Sequence, residues 1–241
     1  MRNISRRDVL ALAGLGALGL GAVALGIDAI APGSSGEKEG EGDMLTVFTF
    51  GDSILDCGHY NQYDVHPGQL VVRNDDRLFP EFEGSDLTSR GGARLEHRAV
   101  DGATVNGLPS QVRGLKVEGP AVAMLTVGGN DLLQGLVVDN GEGIREFAQK
   151  LEAFLKQLPI RPVLVGNVYD PSFGDDNQNF LGVDPRLARE NHRRLNAVLA
   201  EMGGKYGALV DLHTHFLKGD PSWYTHTIEP SLTGASEVRR A

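Results

Sequence analysis

The sequence predicts one α/β domain with a mostly parallel sheet, preceded by a separate N-terminal segment. Two observations predict the domain: short runs that are apolar at successive positions, and longer segments with helical spacing between them. A third observation, a basic start followed by small apolar residues, sets the N-terminal segment apart.

That segment comes first. Residues 5–10 read "SRRDVL", and residues 9–27 are a run of mainly Ala, Gly, Leu and Val. Arg6 and Arg7 directly before the apolar run predict an export signal of the twin-arginine type over residues 1–31, and hence a periplasmic, extracellular or cell-envelope location. Ala22–Ala24 and Ala29–Ala31 are the expected cleavage points, although Pro32 hinders the second. Uncleaved, the run would be the chain's one expected tie to a membrane, since it approaches the roughly 20 residues that span a bilayer. Residues 32–43, "PGSSGEKEGEGD", lack large apolar side chains and predict a flexible linker.

Residues 44–241 remain, enough for one domain with its own core. Residues 1–31 carry three Arg and two Asp, so without them the formal charge goes from −9 to −10. An acidic body with no basic run argues against nucleic acid as a partner. The single cysteine, Cys57, rules out an internal disulfide and reads as a small buried side chain.

The predicted strands are 44–50, 94–100 (the weakest), 121–127, 161–168 and 208–214. Between them, residues 141–157 place Ile144, Phe147, Leu151, Phe154 and Leu155 on one helical stripe that Pro159 and Pro162 end. Residues 185–202 begin with Pro185 in the first turn, and Gly203 and Gly204 predict their end.

In such sheets, chemistry gathers at the carboxyl ends of the strands. The segments in those places are "GDSILDCGHYN" (51–61), "DGATVNG" (101–107), "GGNDLL" (128–133), "YDPSFGDDNQN" (169–179) and "HFLKGDPSWYTHTIEP" (215–230). Ser53 follows a strand and a glycine, where a tight turn can hold a hydroxyl at the mouth of the sheet. A serine hydroxyl becomes a nucleophile when a base takes its proton, and the oxyanion it creates needs fixed donors. Gly102 and Asn130, from the next two strand ends, can supply a backbone N–H and a side-chain amide.

At these residues the chain resembles a family. "FGDSILDCGHYN", "AVDGATV" and "TVGGNDLL" are similar to the signature blocks of the SGNH (GDSL) hydrolases, and the resemblance extends over most of residues 44–241. It implies a flavodoxin-like three-layer α/β/α sandwich and hydrolysis of carboxylic esters with no metal or other cofactor. By position, Ser53 is the nucleophile, and the Ser53 and Gly102 N–H groups with the Asn130 amide form the oxyanion hole. Small esters, acylated carbohydrates and lipids are the substrates it implies.

The last block departs from that pattern. The family places Asp-x-x-His, usually followed by proline, before the final helix, with the histidine as general base. Here Pro230 and the helical pattern of 231–241 are in place, but Glu229 precedes the proline and His226 stands at the aspartate position. Three readings stay open: His226 reaches Ser53 with an acid orienting it, Glu229 is itself the base, or the base is lost and the protein binds without turnover. The retained oxyanion residues favour the first two over the third.

Other side chains compete. Asp211, His213 and His215 alternate along the fifth predicted strand, so an extended chain would put them on one face, as a metallohydrolase site requires. Backbone satisfaction at a strand end is the simpler explanation of the three, and His215 is a reserve base. His59, six residues after Ser53, is placed to line the pocket, whereas His66, His97 and His192 suit surface or turn positions. Asp170, Asp175 and Asp176 read as a solvated loop over the cleft, and Trp223 and Tyr224 as either a substrate wall or core packing.

Overall fold

The structure, a computed structural model, describes residues 44–241. The predicted export signal and linker lie outside the described residues. Five strands form one parallel sheet: β1 (Leu45–Gly51), β2 (Ala93–His97), β3 (Ala121–Thr126), β4 (Val163–Gly166) and β5 (Gly207–Val210), in the order β2-β1-β3-β4-β5. This is the flavodoxin-like arrangement, and all five predicted runs take part in it.

Alternation along β1 divides its side chains between two cores. Phe48 and Phe50 face Phe147, Leu151, Phe154 and Leu155 of α4 (Glu142–Gln157) and Leu195, Leu199 and Met202 of α5 (Pro185–Tyr206). Val47 faces the other way, toward Val72 of α1 (Pro67–Val72) and Leu87. The C-terminal helix α7 (Leu232–Arg240) packs beside α1 and completes the second outer layer. Ser231 starts α7 by accepting the Gly234 N–H at 3.1 Å. Cys57 is buried, and burial pushes its thiol well above the usual range.

Two boundaries differ from expectation. Helix α5 does not stop at Gly203 and Gly204 but continues to Tyr206. A Cβ on Gly203 would lie 2.9 Å from the Leu209 backbone nitrogen, so this glycine allows close packing of helix on strand. The fifth strand ends at Val210, not at 214, and residues Leu212–Phe216 form a short helix, α6. Asp211 starts that helix by accepting the Thr214 N–H at 3.1 Å.

Candidate active site

Strand β1 ends at Gly51 with φ +116°, a conformation that glycine tolerates, and a Cβ there would lie 1.6 Å from the Thr126 carbonyl oxygen. Gln111, on α2 (Leu108–Gln111), clamps this residue from both sides: Gly51 N–H donates to Oε1 at 2.7 Å and Nε2 donates to the Gly51 carbonyl at 2.8 Å. The next residue, Asp52, is buried and accepts from the Thr126 hydroxyl at 2.8 Å and the Ile54 N–H at 3.2 Å. Burial pushes its pKa up to about 7 against those two hydrogen bonds, with the charges of Glu229 and Asp131 adding to the rise. The turn so fixed leaves Ser53 at the mouth of the sheet.

The oxyanion-hole candidates are carried by two segments tied to each other. Asn130 and Asp131 sit on α3 (Gly129–Leu133), directly after β3. The Asn130 Nδ2 donates to the Ala103 carbonyl at 3.1 Å, and the Asp131 carboxylate accepts the Val105 N–H at 3.1 and 3.2 Å. Together they pin the loop that contains Gly102, itself at φ +74°. Burial pushes the Asp131 pKa up to about 6. The same loop is held from the first block, because the Asp101 N–H donates to Asp56 at 2.8 Å. Tyr60 donates its hydroxyl to the Asp101 carboxylate at 2.7 Å, and His59 lies 3.2 Å from the same oxygen.

The last block is a hairpin, β6 (Tyr224–Thr225) against β7 (Glu229–Pro230), with Thr225 opposite Glu229. His226 and Thr227 occupy its turn with φ of 47° and 75°. That geometry separates the two candidate bases. His226 is at the exposed tip, its ring edge-on to Tyr60 with centroids 5.2 Å apart. Glu229 lines the same cleft as Ser53, and the serine side chain is near enough to act on its titration. Burial raises the Glu229 pKa above the usual carboxylate range; the Ser53 contact and the nearby His59 and His226 oppose the rise, and Asp101 adds to it. Its Oε2 is buried without a hydrogen-bond partner. Tyr169 steadies the hairpin by donating its hydroxyl to the Ile228 carbonyl at 2.7 Å.

The other candidates go elsewhere. His215 lies 2.8 Å from Glu237 of α7 and stacks on Trp223, so it faces the C-terminal helix instead of the serine. The shared face expected for Asp211, His213 and His215 does not exist, because helix α6 replaces the strand that would have aligned them. Asp211 accepts from Asn167 at 2.9 Å, and the His213 ring lies against His192. Among the described residues no group of three or more His, Cys, Asp or Glu is arranged to hold a metal ion. Of the histidines expected at surface or turn positions, His66 stands at the start of α1 but is buried beside His97, and burial lowers its pKa to about 4. His192 lines the cleft and lies 2.8 Å from the Val168 carbonyl. Trp223 and Tyr224 pack around Phe216, outside the cleft lining. Asp170, Asp175 and Asp176 do lie over the cleft, and Arg189 bridges the first and third at 3.3 and 2.5 Å.

Tyr60, Asp101, Gln111 and Tyr169 are site residues with no role assigned to them from the sequence. The first two lie in the blocks that flank Ser53 and Gly102, which was the available signal. Nothing in the sequence marks Gln111 or Tyr169.

The sequence profile of the GDSL-like lipase/acylhydrolase family matches residues 49–235. Among functionally curated proteins no match is found. Solved structures with the same fold include an acetylxylan esterase from Geobacillus stearothermophilus (18% identity, 82% of this chain and 91% of that one, TM-score 0.58). A member of the lipolytic G-D-S-L family from Veillonella parvula is also similar (19% identity, 81% and 94%, TM-score 0.51). So is the psychrotrophic esterase EstA from Pseudoalteromonas sp. (15% identity, 80% and 92%, TM-score 0.51). With more than half of its length matched by the family profile, this chain belongs to the GDSL-like lipase/acylhydrolase family.

Proposed function

We propose that this protein hydrolyses carboxylic esters through an acyl-enzyme on Ser53, with Glu229 as the general base. The observation that carries the reading is that Glu229 lines the same cleft as Ser53, in the position where the family has histidine, while His226 is turned to the exposed tip of the hairpin. Glu229 takes the hydroxyl proton as Oγ attacks the ester carbonyl. The resulting oxyanion is met by the N–H groups of Ser53 and Gly102 and by the second Nδ2 hydrogen of Asn130, whose first is held by Ala103. Collapse expels the alcohol, which leaves with the proton from Glu229. Water, activated by the same carboxylate, then releases the acid and restores Ser53.

An ordinary glutamate is a weak base near neutral pH, and burial of Glu229 moves its pKa in the direction that strengthens it. Substrates on this reading are small esters, acylated carbohydrates or lipids; the acetylxylan esterase among the similar structures supports an acetyl ester as the first to try. Export by the twin-arginine segment of residues 1–31 is part of the same proposal, supported by Arg6, Arg7 and the apolar run after them. The test is labelling with a fluorophosphonate probe together with turnover of p-nitrophenyl acetate. Both are expected in the wild-type protein and absent in Ser53→Ala; turnover that survives in Ser53→Ala overturns the assignment.

A further inference from the structure

Ser53, Asn130 and Glu229 open into a cavity of about 140 Å³. A single water needs roughly 10–15 Å³ of such space, so the cavity takes a substituent of several carbon atoms. One wall is aliphatic and aromatic: Leu132 and Leu133 from α3, Val137 from the turn after it, and Phe180 and Leu181 from the loop before α5. The wall continues onto the surface. Leu133 and Phe180 are 40% and 46% exposed, and Val138 and Leu187, neighbours in sequence of the cleft residues Val137 and Ala188, are 49% and 39% exposed. Large apolar side chains left in water around the mouth of an apolar cleft mark a binding surface.

Polar side chains of the lining are already bonded within the protein. Arg189 holds Asp170 and Asp176, and Asp170 also accepts from the N–H and hydroxyl of Ser172 at 2.9 and 2.6 Å. Asn179 donates to the Val183 carbonyl at 2.7 Å and accepts the Leu181 N–H at 3.0 Å. A carbohydrate would need free partners to replace the water on its hydroxyls, and each group left unpaired lowers affinity. An alkyl chain needs only an apolar surface to leave water for.

We infer that this cleft is an alkyl-chain site, and that the protein selects esters bearing a chain of several carbons over acetylated sugars. The inference rests on the ester-hydrolase reading for its chemistry, while the binding it describes can be tested without turnover. Continuity between the apolar wall and Ser53 fixes the occupant as part of the ester itself, on its acyl or its alcohol side.

The experiment compares p-nitrophenyl acetate with p-nitrophenyl hexanoate, and ethyl acetate with hexyl acetate. Each buried methylene is worth about fourfold, so kcat/KM is expected to rise at least tenfold in one arm, and that arm identifies the side carrying the chain. Phe180→Asp and Leu133→Asp, both at exposed positions that spare the core, are expected to cut the hexyl-to-short ratio at least fivefold. In parallel, calorimetry on Ser53→Ala is expected to give at least tenfold tighter binding of either hexyl acetate or ethyl hexanoate than of ethyl acetate. A flat profile in both arms with measurable turnover overturns the alkyl site and leaves the esterase reading standing. Equal binding of ethyl acetate, hexyl acetate and ethyl hexanoate overturns the alkyl site whatever the turnover. Preferential binding of either longer ester with no turnover upholds the site and sinks the esterase reading.

Discussion

Asp131→Asn should stabilise the protein at alkaline pH and leave it unchanged in acid. The Asp131 carboxylate accepts the Val105 N–H at 3.1 and 3.2 Å, and an asparagine carbonyl can accept the same bond. What the substitution removes is a buried negative charge. Burial raises the pKa from an ordinary 3.8 to about 6, so the folded state holds this proton more tightly than the unfolded chain does. Stability therefore falls as pH rises through that window, by up to about 3 kcal/mol once pH exceeds the folded pKa, at 1.36 kcal/mol per pH unit. Asparagine does not titrate and escapes the loss. Urea unfolding at pH 4 and pH 8 is the assay: equal midpoints at pH 4 and a higher midpoint for the variant at pH 8 are expected. A variant equally stable to wild type at pH 8, or destabilised alike at both pH values, would refute the reasoning and mean that the charge itself supports the loop.

Gly51→Ala should lose more than about 4 kcal/mol or fail to fold, because its Cβ would lie 1.6 Å from the Thr126 carbonyl oxygen at a positive φ; thermal melting of the soluble fraction checks it. Tyr169→Phe removes the bond that steadies Ile228, so a cost of about 1 kcal/mol is expected together with a several-fold drop in kcat at unchanged KM. Asn130→Ala removes the proposed oxyanion donor and a tie to Ala103, and kcat for p-nitrophenyl acetate should fall about 100- to 1000-fold.

The parallel sheet was legible in the sequence because strands buried on both faces must be apolar at successive positions, as "LTVFTFG" and "VLVG" are. The end of β5 was not. Asp211, His213 and His215 alternate as a strand would, yet an aspartate that can bond a backbone N–H three residues on starts a helix equally well, and that local bond prevailed. The glycine pair in α5 misled for a related reason: the same missing Cβ that ends helices also lets one press against a strand. At the site, the exchange of acid and base in "HTIEP" could be read directly, but not its geometry. Two left-handed residues in succession turn His226 outward and Glu229 inward, and nothing in the residue types at 226 and 227 announces a turn of that kind. Tyr60 and Asp101 are 41 residues apart, and their bond follows from the packing of two loops that sequence spacing does not determine.

The identity of the base is the central claim, and the pH dependence of kcat/KM for wild type, Glu229→Gln and His226→Ala tests it most directly. Glu229→Gln is expected to lower kcat about 100- to 10,000-fold, the usual contribution of a general base. His226→Ala is expected to keep most of the activity. Activity in the wild type should fall as pH drops through the Glu229 pKa, on a limb above the ordinary carboxylate value, since a protonated carboxyl cannot accept the serine proton. That limb should persist in His226→Ala. Loss of activity in His226→Ala, with Glu229→Gln active and its acid limb in place, would contradict the account and return the role of base to the histidine.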